Sequence, residues 1–399
     1  MKKFAIILSL LILFSCTSKD VTIEEISFLY DNNNAQPSLV SNNGSLSLTW
    51  ISSDEDMNAS LNFRQFKNEK WTNPQTLAIG SNWFINWADF PTHAISGGRV
   101  LTSYLKKSAS GTYTYDVFLN LQKLSGEKIK EDFILNTDGF KAEHGFVSID
   151  ANVNEGFFVT WLDGRNTVEK GLDGNPKPMT LRFAEITNAG DIVNEIELDS
   201  SVCDCCQTSI THTDKGPLVV YRDRSDKEVR DIYVTRNIDD KWETPVPVHN
   251  DGWEIYGCPV NGPKVVSNLN NLAVSWFTVA DGKPSVNLSF SESYGSSFSN
   301  PIKINDHTAI GRVDVSFLND KEVIVSYMEA DDVSTYLRLK KVSINGKISE
   351  PITISTIDSG RNTGVPQLEI LDDEIFIVWT VFENENNQLK TVKLSSKDI

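Results

Sequence analysis

PSLVSNNGSLSLTW (37–50), HAISGGRVLTSY (93–104), VSIDANVNEGFFVTW (147–161), TSITHTDKGPLVVY (208–221), PKVVSNLNNLAVSW (263–276), VDVSFLNDKEVIVSY (313–327) and PQLEILDDEIFIVW (366–379) are seven versions of one phrase. Each reads as an apolar strand, a polar turn and a second strand ending in Trp or Tyr, and the closing aromatics recur every 51 to 60 residues. A repeat of this length marks an architecture built from stacked units, none of which buries its apolar face alone. A second hairpin follows the phrase, as in ASLNFRQFKNEKWTNPQTL and VNLSFSESYGSSFSNPIKI. Four strands per unit make one propeller blade, so the predicted fold is an all-β, seven-bladed β-propeller with four-stranded antiparallel blades. The competing arrangements are six blades with a separate hairpin, and a β-sandwich, which also spaces short strands regularly. The last unit offers only three strands after Pro366, and VTIEEISFLY (21–30) is a free strand able to supply the fourth. Closure by strands from both termini leaves no open sheet edge at the seam.

Upstream of the repeats, MKKFAIILSLLILFSC sets two lysines before an apolar run, the layout of a signal peptide over residues 1–15. The run is too short for a spanning helix. Its end, Leu13-Phe14-Ser15-Cys16, resembles the lipobox of bacterial lipoproteins. That resemblance implies cleavage before Cys16, lipidation of Cys16, a tether over 16–20 and a propeller domain over 21–399. The expected location is the cell envelope, on the periplasmic or surface side of the outer membrane, with the lipid as the only membrane link. Loss of Lys2 and Lys3 leaves 35 of the 37 basic residues against 54 acidic ones. Such a charge repels phosphate backbones, which argues against nucleic acid as a partner; a monomer is expected.

In a propeller, the turns between first and second and between third and fourth strands share one face; the second-to-third loops and the blade crossings share the other. The first face receives SNNGS, SGG, TDKG, LNDK and similar short polar turns, which read as connectors. The other receives SNWFINWADFPTH, NTDGFKAEHGF, SSVCDCCQ, HNDGWEIYGCPVNG, NDHTAIGR and IDSGRNTG. Four cysteines and four of the five histidines fall there, His212 being the exception. Binding groups on loops held by a rigid scaffold are the ordinary arrangement. Residues just before each innermost strand should ring the channel mouth: His93, Glu143, His144, Asp204, Cys205, Cys206, Cys258 and Arg312.

In an oxidising envelope, two disulfides among Cys203, Cys205, Cys206 and Cys258 are one reading. A Cys205–Cys206 bond would be strained, because adjacent Cα atoms lie about 3.8 Å apart, below the disulfide range of roughly 4.4 to 6.8 Å. Thiolate with imidazole suits copper or zinc and not magnesium or calcium. The second reading is therefore a metal site of Cys205, Cys206, Cys258 and Cys203, with His93 or His144 completing the shell and copper favoured by the envelope setting. A reactive redox thiol pair is the third. His249 and His307, at equivalent crossings, are expected to hydrogen-bond their turns.

SESYGSSF (291–298) resembles the Asp-box turn of sialidase-like β-propellers, Ser-x-Asp-x-Gly-x-x-aromatic, with Ser291, Gly295 and Phe298 in place and Ser293 where the family has Asp. The box marks the fold and carries no catalysis. The resemblance implies a glycan ligand or substrate, bound through three arginines and processed by a Tyr/Glu pair and an Asp acid. Arg165, Arg222, Arg224, Arg230, Arg312 and Arg361 lie on or near the right face, and Glu143, Asp163, Asp204 and Asp314 are the candidate carboxyls. The family's Arg-Ile-Pro signature is missing: its counterparts read Gln36-Pro37-Ser38 and Asp89-Phe90-Pro91. Local salt bridging within the loops competes with a catalytic role for these groups. Three functions stay open: metal-binding lipoprotein, sialidase-like glycoside hydrolase, and noncatalytic glycan or protein binder.

Overall fold

The strand-turn-strand phrases fold as seven antiparallel sheets in the computed structural model, which describes residues 21–28, 33–42, 44–55, 58–152, 155–171, 174–383 and 385–399. The leader and Cys16 lie outside the described residues. The innermost strands are Asn33–Asn42, His93–Ser96, His144–Asn152, Ser209–Thr213, Lys264–Asn268, Thr308–Asn319 and Gln367–Leu371. Each touches the next, and the last touches the first, so the ring is closed. Short 3-10 segments are the only helical pieces among the described residues.

The seam is closed as expected. The seventh blade takes Gln367–Leu371, Glu374–Glu383 and Asn386–Ser395 from the C-terminus and Glu24–Glu25 as its outer strand, with Glu24 opposite Lys393 and Glu25 opposite Val392. The degenerate box sits between third and fourth strands of blade five, where Ser291 Oγ accepts from Gly295 N–H (3.0 Å). Gly295 adopts φ +77°, the left-handed region open to glycine.

The apolar core is divided into seven clusters, each shared by two adjacent blades. This explains the repeat: a blade is apolar on both faces, and only a neighbour on each side buries it. The seven closing aromatics, Trp50, Tyr104, Trp161, Tyr221, Trp276, Tyr327 and Trp379, are all buried in these layers. Several anchor their polar tips, as buried Trp and Tyr usually do: Trp50 Nε1 donates to Asn34, Trp161 Nε1 to Asp163 and Trp276 Nε1 to Asp251.

Along the axis the innermost strands enclose a cavity of about 790 Å³. Ser38, His93, Lys264, Asp314 and Glu369 are among its lining residues.

Candidate functional site

Cys203 follows the outer strand of blade three, Ile192–Val202, and its N–H donates to Arg222 O of blade four, pinning the start of the crossing. The chain then turns through Asp204, Cys205 and Cys206 before the inner strand Ser209–Thr213. This turn folds three thiols onto one point. Sγ of Cys203 lies 3.5 Å from that of Cys206 and 3.9 Å from that of Cys205, and the three sulfurs stay within 4.8 Å of one another. Cys258, exposed on the next crossing, interacts with the Cys205 thiol but stands outside the group of three, and none of the four is bridged.

Charge is shared unequally in this group. Hydrogen bonds from the Cys205 and Cys206 thiols, with the Arg222 charge, hold Cys203 well below the usual thiol range. Burial pushes Cys206 up to about 12. Arg230 Nη1 donates to Cys203 Sγ at 3.3 Å. Arg230 is itself anchored by Glu228, whose carboxylate also receives a fork from Arg224. Arg224 in turn donates to Asp204 Oδ2 at 2.8 Å, and Asp204 Oδ1 accepts Met179 N–H. Asp204 is thus a loop anchor beside the thiols.

The histidines do not join them. His93, fully buried, sits in a cage of hydroxyls: Ser38 Oγ (3.2 Å) and Thr49 Oγ1 (3.0 Å) on Nδ1, Ser47 Oγ (2.9 Å) on Nε2. Burial drives its pKa down to about 3, so the ring is neutral. His144 belongs to a separate group with Asp138 and Asp163. The expectation that either completes a thiol shell is therefore corrected; the hydroxyl cage claims one ring and the carboxylates the other.

Arg222 and Arg312 are corrected as well. Arg222 is buried, lies over Trp253 and donates to the carbonyls of Arg230, Asn261 and Phe277. Arg312 lies over Trp87 and donates to the carbonyls of Ser359, Gly360 and Gly364. Both guanidinium groups tie neighbouring segments of backbone together, and their hydrogen bonds go to carbonyls. Arg165 is occupied by Asp163, and Arg224 by Glu228 and Asp204. No triad of open arginines is assembled from these four. Asp314 lies in the channel, accepting Leu368 N–H and facing Lys264 Nζ at 3.4 Å, far in role from an acid catalyst.

Glu143 is different. Its Oε1 accepts the Tyr115 hydroxyl at 2.7 Å, and the same hydroxyl lies 3.0 Å from Asp89 Oδ2. Asp89 Oδ1 accepts Phe146 N–H. A phenol carries one proton and cannot donate to both carboxylates, so a stable arrangement keeps a second proton on one of them. Burial pushes Asp89 up to about 8 and Glu143 up to about 7, with Asp204 adding to the latter. Tyr115 carried no sequence signal for this role; it opens the third strand of blade two, Tyr115–Lys123.

His212, at the far end, pairs with Asp150 (2.7 Å), which raises its pKa. His249 Nε2 stands 4.0 Å from Asp251, and His307 N–H donates to Glu329.

No protein-family model and no curated protein sequence matches the chain. Among solved structures, it is similar to a PL25 polysaccharide lyase, an ulvan lyase bound to -[GlcA(1-4)Rha3S]-, at TM-score 0.56 and 10% identity over 93% of this chain and 96% of that one. The polysaccharide lyase Uly1 aligns at TM-score 0.52 and 8% identity over 93% and 92% of the two chains. The endosialidase of phage phi92 aligns at TM-score 0.52 and 9% identity, over 94% of this chain and 69% of that one. At such identity the likeness is one of fold, and the chain shares the β-propeller fold of these enzymes.

Proposed function

We propose that the protein is an envelope lipoprotein that binds a thiophilic metal ion, copper(I) or zinc(II), at the propeller mouth through Cys203, Cys205 and Cys206, with Cys258 as a fourth ligand. The observation that carries this reading is the convergence of three sulfurs within 4.8 Å. Zinc–sulfur bonds of ~2.3 Å at a tetrahedral angle separate sulfurs by ~3.8 Å, and the 3.5 and 3.9 Å spacings lie on either side of that value. Soft thiolates select copper(I) or zinc over hard cations. Arg230 and Arg222 offset the negative charge that deprotonated thiols bring.

Elemental analysis of protein purified without chelator tests the reading. One equivalent of copper or zinc, lost in Cys205→Ser, supports it. Thiol titration that finds no free sulfhydryl, together with no metal, leaves structural disulfides instead.

A second reading is glycan processing, favoured by the phenol held between Asp89 and Glu143 at the same face. Polysaccharides and sialosides are the substrates to try, since the similar folds named above act on such chains. Activity abolished by Tyr115→Phe supports it; a clean negative across a panel that includes uronate polymers returns the protein to the metal reading.

A further inference from the structure

His144 opens the inner strand His144–Asn152 of blade three and stands opposite Asp163, the last residue of the neighbouring strand. Its ring is fully buried. Nδ1 lies 3.2 Å from Tyr115 O, which only accepts, and 3.5 Å from Asp116 Oδ1, so Nδ1 carries a proton. Nε2 has no hydrogen-bond partner. It points at Asp138 Oδ2, 3.1 Å away, and neither atom has a hydrogen-bond donor. Asp163 Oδ1 is 3.7 Å from the same nitrogen. Without a cation or a proton between them, two acceptors would face each other in a dry place where leaving either unpaired costs several kcal/mol.

We propose that Asp138, His144 and Asp163 form a second metal site, separate from the thiols, for a divalent cation of borderline hardness such as zinc(II). Imidazole with two carboxylates is a donor set such ions take. Bonds of ~2.0 to 2.1 Å at tetrahedral angles space the donors by ~3.3 Å, within the 3.1 to 3.7 Å observed. The surrounding contacts orient the ligands, as outer contacts do in metal sites. Tyr115 O fixes the ring, Asp138 Oδ1 is held by Phe140 N–H, and Asp163 is held by Arg165 and Trp161 Nε1. Among the described residues, Arg165 is the competing cation: its Nη2 lies 3.2 Å from Asp138 Oδ2 without hydrogen-bond geometry and is shared with Asp163 and Glu195.

The test uses a variant with Cys203, Cys205, Cys206 and Cys258 all changed to Ser, so that failure of the thiol reading and of this one are told apart. Titrated with zinc(II) and cobalt(II), it is expected to bind one equivalent, with cobalt d–d bands and no sulfur charge transfer, and His144→Ala in that background should lower affinity at least a hundredfold. A folded four-Ser variant that binds neither ion, or equal affinity with and without His144, overturns the proposal. Should that variant not fold, nitrogen-15 spectra of the wild-type histidines decide: Nε2 of His144 unprotonated and shifted on zinc addition supports the site, and both ring nitrogens protonated throughout make His144 an imidazolium and overturn it.

Discussion

His93 and His144 begin the inner strands of adjacent blades and are equally buried, yet one is surrounded by three hydroxyls and the other by carboxylates. Hydroxyls donate or accept as needed, so the His93 cage satisfies a neutral ring and locks it. Carboxylates only accept, so the His144 pocket is incomplete without a cation or a proton. Equivalent backbone positions thus yield a structural pivot in blade two and a candidate binding group in blade three. What differs is the chemistry of the neighbouring strand, Ser47 and Thr49 in one case and Asp163 in the other.

The largest expected effect is on acid stability. A ring with pKa about 3 in the fold and 6.5 when unfolded adds stability that is complete above 6.5 and is lost as pH falls toward 3. The loss is on the order of 4 kcal/mol. Urea unfolding at pH 7 and pH 4 should show it as the difference between wild type and His93→Asn, because Asp89 titrates over the same range in both proteins; parallel profiles would mean the cage does not keep His93 neutral. Next comes truncation. His93→Ala strands three hydroxyls and opens a cavity, at a cost of about 3 kcal/mol. In metal-free protein His144→Ala should cost less, because it removes one of two opposed acceptors; a larger cost for His144 would break the contrast.

Zinc sharpens it further. At free zinc a hundredfold above its Kd, melting of wild type and His93→Ala should shift upward by about 2.7 kcal/mol, and His144→Ala should not respond at that site when the thiols are blocked. Over the narrow window from pH 7 to 8 the smallest effect concerns Asp89, which lies on the crossing before His93 and holds Tyr115, whose carbonyl orients His144. With a folded pKa of about 8 against 3.8, the fold favours the neutral carboxyl, and stability declines as pH rises from about 4 to about 8. Between pH 7 and 8 the loss should be about 1 kcal/mol, and Asp89→Asn should keep it, since an amide oxygen still accepts Phe146 N–H. Unchanged slopes would show that Asp89 ionises freely.

Much of this molecule can be read before folding. The seven phrases, the closing aromatics and the spare strand at 21–30 predict blades, core and seam, and all three are present. Sorting of loops by face also puts Cys203, Cys205, Cys206 and Cys258 on one side, and the three that are neighbours in sequence meet there. The histidines and arginines were harder. Arg222 and Arg312 look like ligand-binding groups until their carbonyl partners are known, and those partners come from crossings 8 to 55 residues away for Arg222 and 47 to 52 for Arg312. Asp138 and Tyr115 carried no motif at all.

The chain alone determines the number of blades, the alternation of buried and exposed faces and the side to which each loop belongs, because these follow from a local period and from the need of every two-faced sheet for a neighbour. Only the tertiary structure decides which polar groups meet across a blade boundary. A guanidinium, imidazole or carboxyl has a role set by the few atoms within hydrogen-bonding reach, and in this ring those atoms often come from a different blade.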